Sequence, residues 1–66
     1  MLRLKKIIEK EKISVLKIVK KTSISSLSFY SKINKKADFT IIELEKINAV
    51  FGNKYDIEEF LIDDPE

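Results

Sequence analysis

Residues 14–36 read SVLKIVKKTSISSLSFYSKINKK, and the spacing of their apolar side chains decides how the rest of the chain is read. Val15, Ile18, Val19 and Thr22 recur at i, i+3, i+4 and i+7, the interval that lines up one face of a helix. Ser14, just ahead, is a good N-cap, because its hydroxyl can accept from an otherwise unpaired backbone N–H. Thr22-Ser23 predicts a turn. Ser25 or Ser26 then caps a further helix to about Ile33, with Phe29 and Ile33 turned inward. Upstream, Leu4, Ile7, Ile8 and Glu11 fall at helical spacing within Leu2–Glu11, and Ile13-Ser14 interrupts them. Downstream, residues 34–38 carry no apolar periodicity and read as a loop. Thr40 followed by Glu43 fits a capping box. Ile41, Leu44, Ile47 and Phe51 continue as an apolar stripe, and Gly52 stands where a left-handed residue ends a helix. Asp56 and Glu59 repeat the capping-box pattern before Phe60, Leu61 and Ile62. The apolar intervals are 3 and 4 rather than 2, so no strand is predicted. The expected architecture is all-α: one domain of five short helices over residues 1–62, then a frayed acidic tail over residues 63–66. Its expected core is Leu4, Ile8, Val15, Ile18, Val19, Ile24, Phe29, Ile33, Leu44, Ile47 and Phe51.

Composition narrows the function. Sixty-six residues suffice for one small domain with a thin core. The chain has no cysteine and no histidine, so neither a disulfide framework nor thiolate or imidazole chemistry is available. A single glycine rules out a glycine-rich phosphate loop. No metal site, cofactor or enzymatic activity is therefore expected. No apolar run approaches the roughly 20 residues of a membrane span, no signal peptide is visible, and the missing cysteines suit a reducing cytoplasm.

The net charge of +2 conceals a division at Lys36. Residues 1–36 carry eleven basic side chains against Glu9 and Glu11, a balance of +9. Residues 37–66 carry Lys46 and Lys54 against nine acidic side chains, a balance of −7. Lysines that merely solubilise a surface would not be sorted in this way. The segregation suggests a basic face for a polyanion and brings nucleic acid, an acidic partner or an anionic membrane to the front.

Two helices of under three turns joined by about three residues have the outline of a helix-turn-helix, whose second helix enters the DNA major groove. The stretch ISVLKIVKKTSISSLSFYSKINKKADFTIIELEKINAVFG resembles the lambda-repressor/Cro-like helix-turn-helix family, and more narrowly small phage-type regulators of low-GC Gram-positive bacteria. The resemblance is carried by Lys32-Ile33-Asn34-Lys35-Lys36 at the end of the recognition helix and by Phe39-Thr40-Ile41-Ile42-Glu43-Leu44 after it. It covers about residues 2–62. The chain departs from the family in having Val19 where a small residue is usual, and Ser23 and Lys35 where turns usually hold glycine. Ser23 then implies turn strain or another turn geometry.

The resemblance implies base contacts from Ser26, Leu27, Ser28 and Tyr30, and phosphate contacts from Ser14, Lys17, Ser25, Lys32, Lys35 and Lys36, since the ends of both motif helices approach the backbone. Serine discriminates weakly between bases, while a leucine can meet a thymine methyl. Residues 25–31 contain no arginine, asparagine or glutamine, so direct readout is expected to be modest. The implied function is a sequence-specific regulator of double-stranded DNA that acts by occupying an operator, as in a phage or prophage switch. A homodimer through the acidic C-terminal half, about Phe51 to Ile62, is the expected assembly. The alternative is an interaction module that binds a partner repressor or a toxin, with weak or no DNA binding of its own.

Overall fold

The computed structural model describes residues 2–64, so Met1, Pro65 and Glu66, including the last two residues of the expected tail, lie outside it. Four α-helices follow one another: α1 Arg3–Glu11, α2 Val15–Thr22, α3 Ser26–Ile33 and α4 Ile41–Val50. A five-residue 3-10 helix, Ile57–Leu61, ends the run. The fold is all-α. Where a fifth α-helix was expected there is only this short 3-10 turn. Its Asp56 makes no side-chain cap, so the second expected capping box does not form.

One local device starts α2, α3 and α4. Ser14, Ser25 and Thr40 accept hydrogen bonds from the backbone N–H groups of Lys17, Ser28 and Glu43, at 3.2, 3.2 and 3.1 Å. The residue before each cap is apolar, as is the residue four places after it. These pairs are Ile13 with Ile18, Ile24 with Phe29, and Phe39 with Leu44, and all six belong to the core or pack against it. These are the positions of a hydrophobic staple, which sets the angle at which chain enters helix. Tyr55 and Phe60 stand at the same positions around Asp56, their rings 6.1 Å apart. The staple therefore survives at the 3-10 helix even though the polar cap does not.

Helix ends are equally regular. Lys12, Ser23, Lys35 and Gly52 all adopt positive φ, at 55, 61, 66 and 77°, one residue beyond α1 and α2 and two beyond α3 and α4. After α3 the Lys36 N–H bonds to the Ser31 carbonyl at 2.8 Å, and after α4 the Asn53 N–H bonds to the Asn48 carbonyl at 2.8 Å. Both are the six-to-one bond of a Schellman motif, which normally relies on glycine. Only one of the four positions is glycine.

The core holds Leu2, Leu4, Ile7, Ile8, Ile18, Ile24, Phe29, Ile33, Phe39, Leu44, Ile47, Phe51 and Phe60. Val15 and Val19, expected inside, are half-buried against it. Ile41, part of the expected apolar stripe but not of the expected core, is 65% exposed, while Phe39, upstream of the cap, is buried. Helix α2 packs on α4 and on α3, while α1 and α4 pack on the 3-10 helix.

The chain end is not frayed over its described part. The Arg3 guanidinium donates from two nitrogens to both Asp64 carboxylate oxygens, each at 2.9 Å. The Arg3 N–H bonds to the Ile62 carbonyl at 2.7 Å, and Leu2 pairs with Asp63 in an isolated antiparallel bridge. Asp63 and Asp64 thus belong to the folded domain, whose boundary lies beyond Ile62. Tyr55 is tied down similarly: its hydroxyl donates to Glu11 at 2.6 Å, and Asn48 exchanges two hydrogen bonds with its backbone, at 2.6 and 3.2 Å.

Candidate nucleic-acid interface

The three residues between α2 and α3 are built from both sides. Thr22, the one buried polar side chain among the described residues, donates to the Ile18 carbonyl at 2.8 Å and accepts from the Ile24 N–H at 3.4 Å. The Ser23 N–H returns to the Val19 carbonyl at 3.0 Å. Ile24 then enters the core and Ser25 caps α3. Every polar group needed to reverse the chain is supplied within four residues. The expected strain at Ser23 is present, as a non-glycine residue held at φ 61°.

With Phe29 and Ile33 buried, the helical repeat turns the opposite face of α3 outward. Leu27 is 82% exposed, the most of the large apolar residues exposed in this structure, and Ser26 and Ser28 beside it are exposed. Tyr30 is half-exposed at one edge, with its ring edge-on to Phe29 at 6.2 Å. It borders a groove shared with Lys5 and Glu9 of α1. The four expected base-contacting residues therefore lie on the outer side of one helix. Ser31 and Asn34, absent from the expected set, follow Leu27 at i+4 and i+7 and extend its stripe. The same periodicity that located the core would have found them.

The expected phosphate contacts divide into three groups. Lys17 and Lys36 are exposed, and Lys17 rims a shallow depression with Ser14, Leu16, Lys20 and Lys21. The hydroxyls of Ser14 and Ser25 are engaged in capping, leaving exposed residues at two helix N-termini. Lys32 and Lys35 are paired with acidic residues. The Lys35 ammonium meets the Asp63 carboxylate at a half-exposed site. Lys32 donates to both oxygens of Glu43, at 2.7 and 2.5 Å, with both side chains less than one-fifth exposed.

These pairs leave their mark on proton affinity. The Glu43 carboxyl is held below the usual carboxylate range, first by Lys32 and then by the Thr40 N–H. Lys35 does the same to Asp63, and Arg3 to Asp64. No group of three or more His, Cys, Asp or Glu side chains able to hold a metal occurs among the described residues. No described helix is long and apolar enough to cross a membrane. Comparison with protein-family models, with curated proteins and with solved structures finds no match for this chain.

Proposed function

We propose that the protein is a sequence-specific DNA-binding regulator, with α2 and α3 as a helix-turn-helix and α3 as the recognition helix. It acts by occupying an operator, without catalysis, in the manner of the Cro-like and repressor-like phage proteins it resembles. The observation that carries the reading is the solvent face of α3: a nearly bare Leu27 among serines, on a chain whose α2 lysines and Lys36 are exposed as well. A lone exposed leucine is ordinary on a protein surface, but on a helix face otherwise made of serines it is suited to meet thymine methyl groups in a major groove. The cations supply salt-sensitive attraction to phosphate. Serine N-caps leave the starts of both helices open to phosphate oxygens.

One domain of this size offers little contact area, so a symmetric dimer on half-sites about 34 Å apart is the proposed assembly. Phe51 and Phe60 of the expected dimer segment are core residues, which leaves the exposed Leu61 and Ile62 as its large apolar material, while Ile41 and Ile42 are exposed outside that segment. Those same four side chains favour the second reading, a module that binds a partner repressor or toxin.

Selection from a random duplex pool at low and near-physiological salt tests the proposal. A recovered near-palindrome, bound less tightly by Leu27→Ala, is the expected result. Enrichment of no sequence, with binding that vanishes as salt rises, overturns it in favour of the partner reading.

A further inference from the structure

Helices α3 and α4, which both pack on α2, are joined by residues 34–40, and two further contacts tie α3 to this junction. One is apolar: the rings of Phe29 and Phe39 meet edge-on at 5.8 Å. The other is polar and runs from α3 to the start of α4. The Lys32 ammonium holds both oxygens of Glu43, and Glu43 Oε1 also accepts from the Thr40 N–H at 2.8 Å. A single carboxylate thus closes the cap of α4 and grips the last turn of α3. Because both side chains are largely shielded, water competes poorly for either partner. Lys35 is different, since its pairing with Asp63 lies at a half-exposed site where a phosphate could replace the carboxylate.

We infer that Lys32 is a positioning residue: through Glu43 it sets the orientation in which α3 presents Leu27 and its neighbouring serines, and it does not itself contact a phosphate. The inference rests on the DNA-binding reading above and assigns one of that surface's cations a different role. It also predicts an effect of opposite sign for Glu43. A Lys32 that bound phosphate would be held back by Glu43, and removing the carboxylate's charge would strengthen binding. A positioning Lys32 needs Glu43, and the same change weakens binding.

The experiment measures affinity of the full chain for its selected duplex across a salt series. The variants are Lys32→Met, Glu43→Gln and the double substitution, each used at a temperature where circular dichroism shows it folded. Glutamine keeps the capping box, so Glu43→Gln retains its helix start. The expected result is a loss of about tenfold in each single variant and no further loss in the double, as for residues acting through one contact. The log–log salt slope should be that of the unsubstituted chain in all three. A tighter Glu43→Gln, or a slope flattened by about 0.9 in Lys32→Met, the amount of one phosphate contact, overturns the inference while leaving DNA binding intact. An unsubstituted chain that binds no duplex removes the DNA-binding reading and this inference together.

Discussion

Replacing Ser23 with glycine should make the protein more stable. Ser23 is held at φ 61°, ψ 19° by the bond from its N–H to the Val19 carbonyl. A residue with a Cβ loses roughly 1–2 kcal/mol in the left-handed region relative to glycine. Glycine returns part of this, because it gives the unfolded chain about 0.4–1 kcal/mol of extra conformational freedom. The net expectation is a gain of about 0.5–1 kcal/mol. Lys12, at φ 55° beyond α1, is an independent instance of the same situation. Lys12→Gly combined with Ser23→Gly should therefore gain about 1–2 kcal/mol. That is a sizeable share of the roughly 3–10 kcal/mol available to a chain of this length. Gly52 supplies the reverse experiment. It sits at φ 77°, and a Cβ built there meets nothing within 4 Å, so Gly52→Ala isolates the backbone cost without a clash. It should lose about as much as Ser23→Gly gains. Urea unfolding followed by helical circular dichroism reads these changes as shifts in midpoint at constant slope. Stabilisation by Ser23→Ala equal to that by Ser23→Gly would refute the argument, since alanine keeps the Cβ and its strain.

Phe60→Ala should destabilise the fold by about 3–5 kcal/mol, because its ring is fully buried and lies 6.0 Å from Phe51 and 6.1 Å from Tyr55. Leu61→Ala, at a half-exposed neighbour, should stay within about 0.5 kcal/mol, and a comparable effect at both sites in denaturation curves would contradict the assignment of the core. The carboxyls of Glu43 and Glu11 are held low, the first chiefly by Lys32 and the second by the Tyr55 hydroxyl ahead of Lys54, so the unfolded chain binds protons more readily than the folded one. Their contribution to stability is thus present above the ordinary carboxylate range and lost as pH falls through the lowered values, which urea midpoints taken across the acid range will register. Tyr55 shifts the opposite way, raised chiefly by its hydrogen bond to Glu11. Its share is present below the usual tyrosine range and lost as pH rises through the raised value, and Glu11→Gln should return the phenol towards its ordinary ionisation in an ultraviolet titration. On a selected duplex, replacing thymine by uracil should weaken binding by the chain but not by Leu27→Ala, and equal sensitivity of the two would separate Leu27 from the thymine methyl.

The helix starts were legible because their chemistry is local. A serine or threonine hydroxyl reaches an N–H three residues along the same chain, so Ser14, the Thr40–Glu43 box and a cap at Ser25 or Ser26 could be read without knowing the fold, and the structure selects Ser25. Apolar intervals of three and four likewise located α1 to α4 and the buried faces of α2 and α3. Where periodicity was stretched over a short segment it failed. Phe60, Leu61 and Ile62 look alike as letters, yet only the first is buried, and Ile41 of the α4 stripe stays exposed while Phe39 outside the helix is buried. Long charged side chains were the least legible. Lys32 lies eleven residues from Glu43, and Arg3 sixty-one from Asp64, and nothing in the order of residues states that the backbone brings either pair together. A lysine has the same four-carbon reach towards solvent, phosphate or carboxylate, and only the path of the chain decides which of them lies at its end. The sequence determined the helices, most of the core and the division of charge. The tertiary structure decided which cations of the basic half face solvent and which are already held by the acidic half.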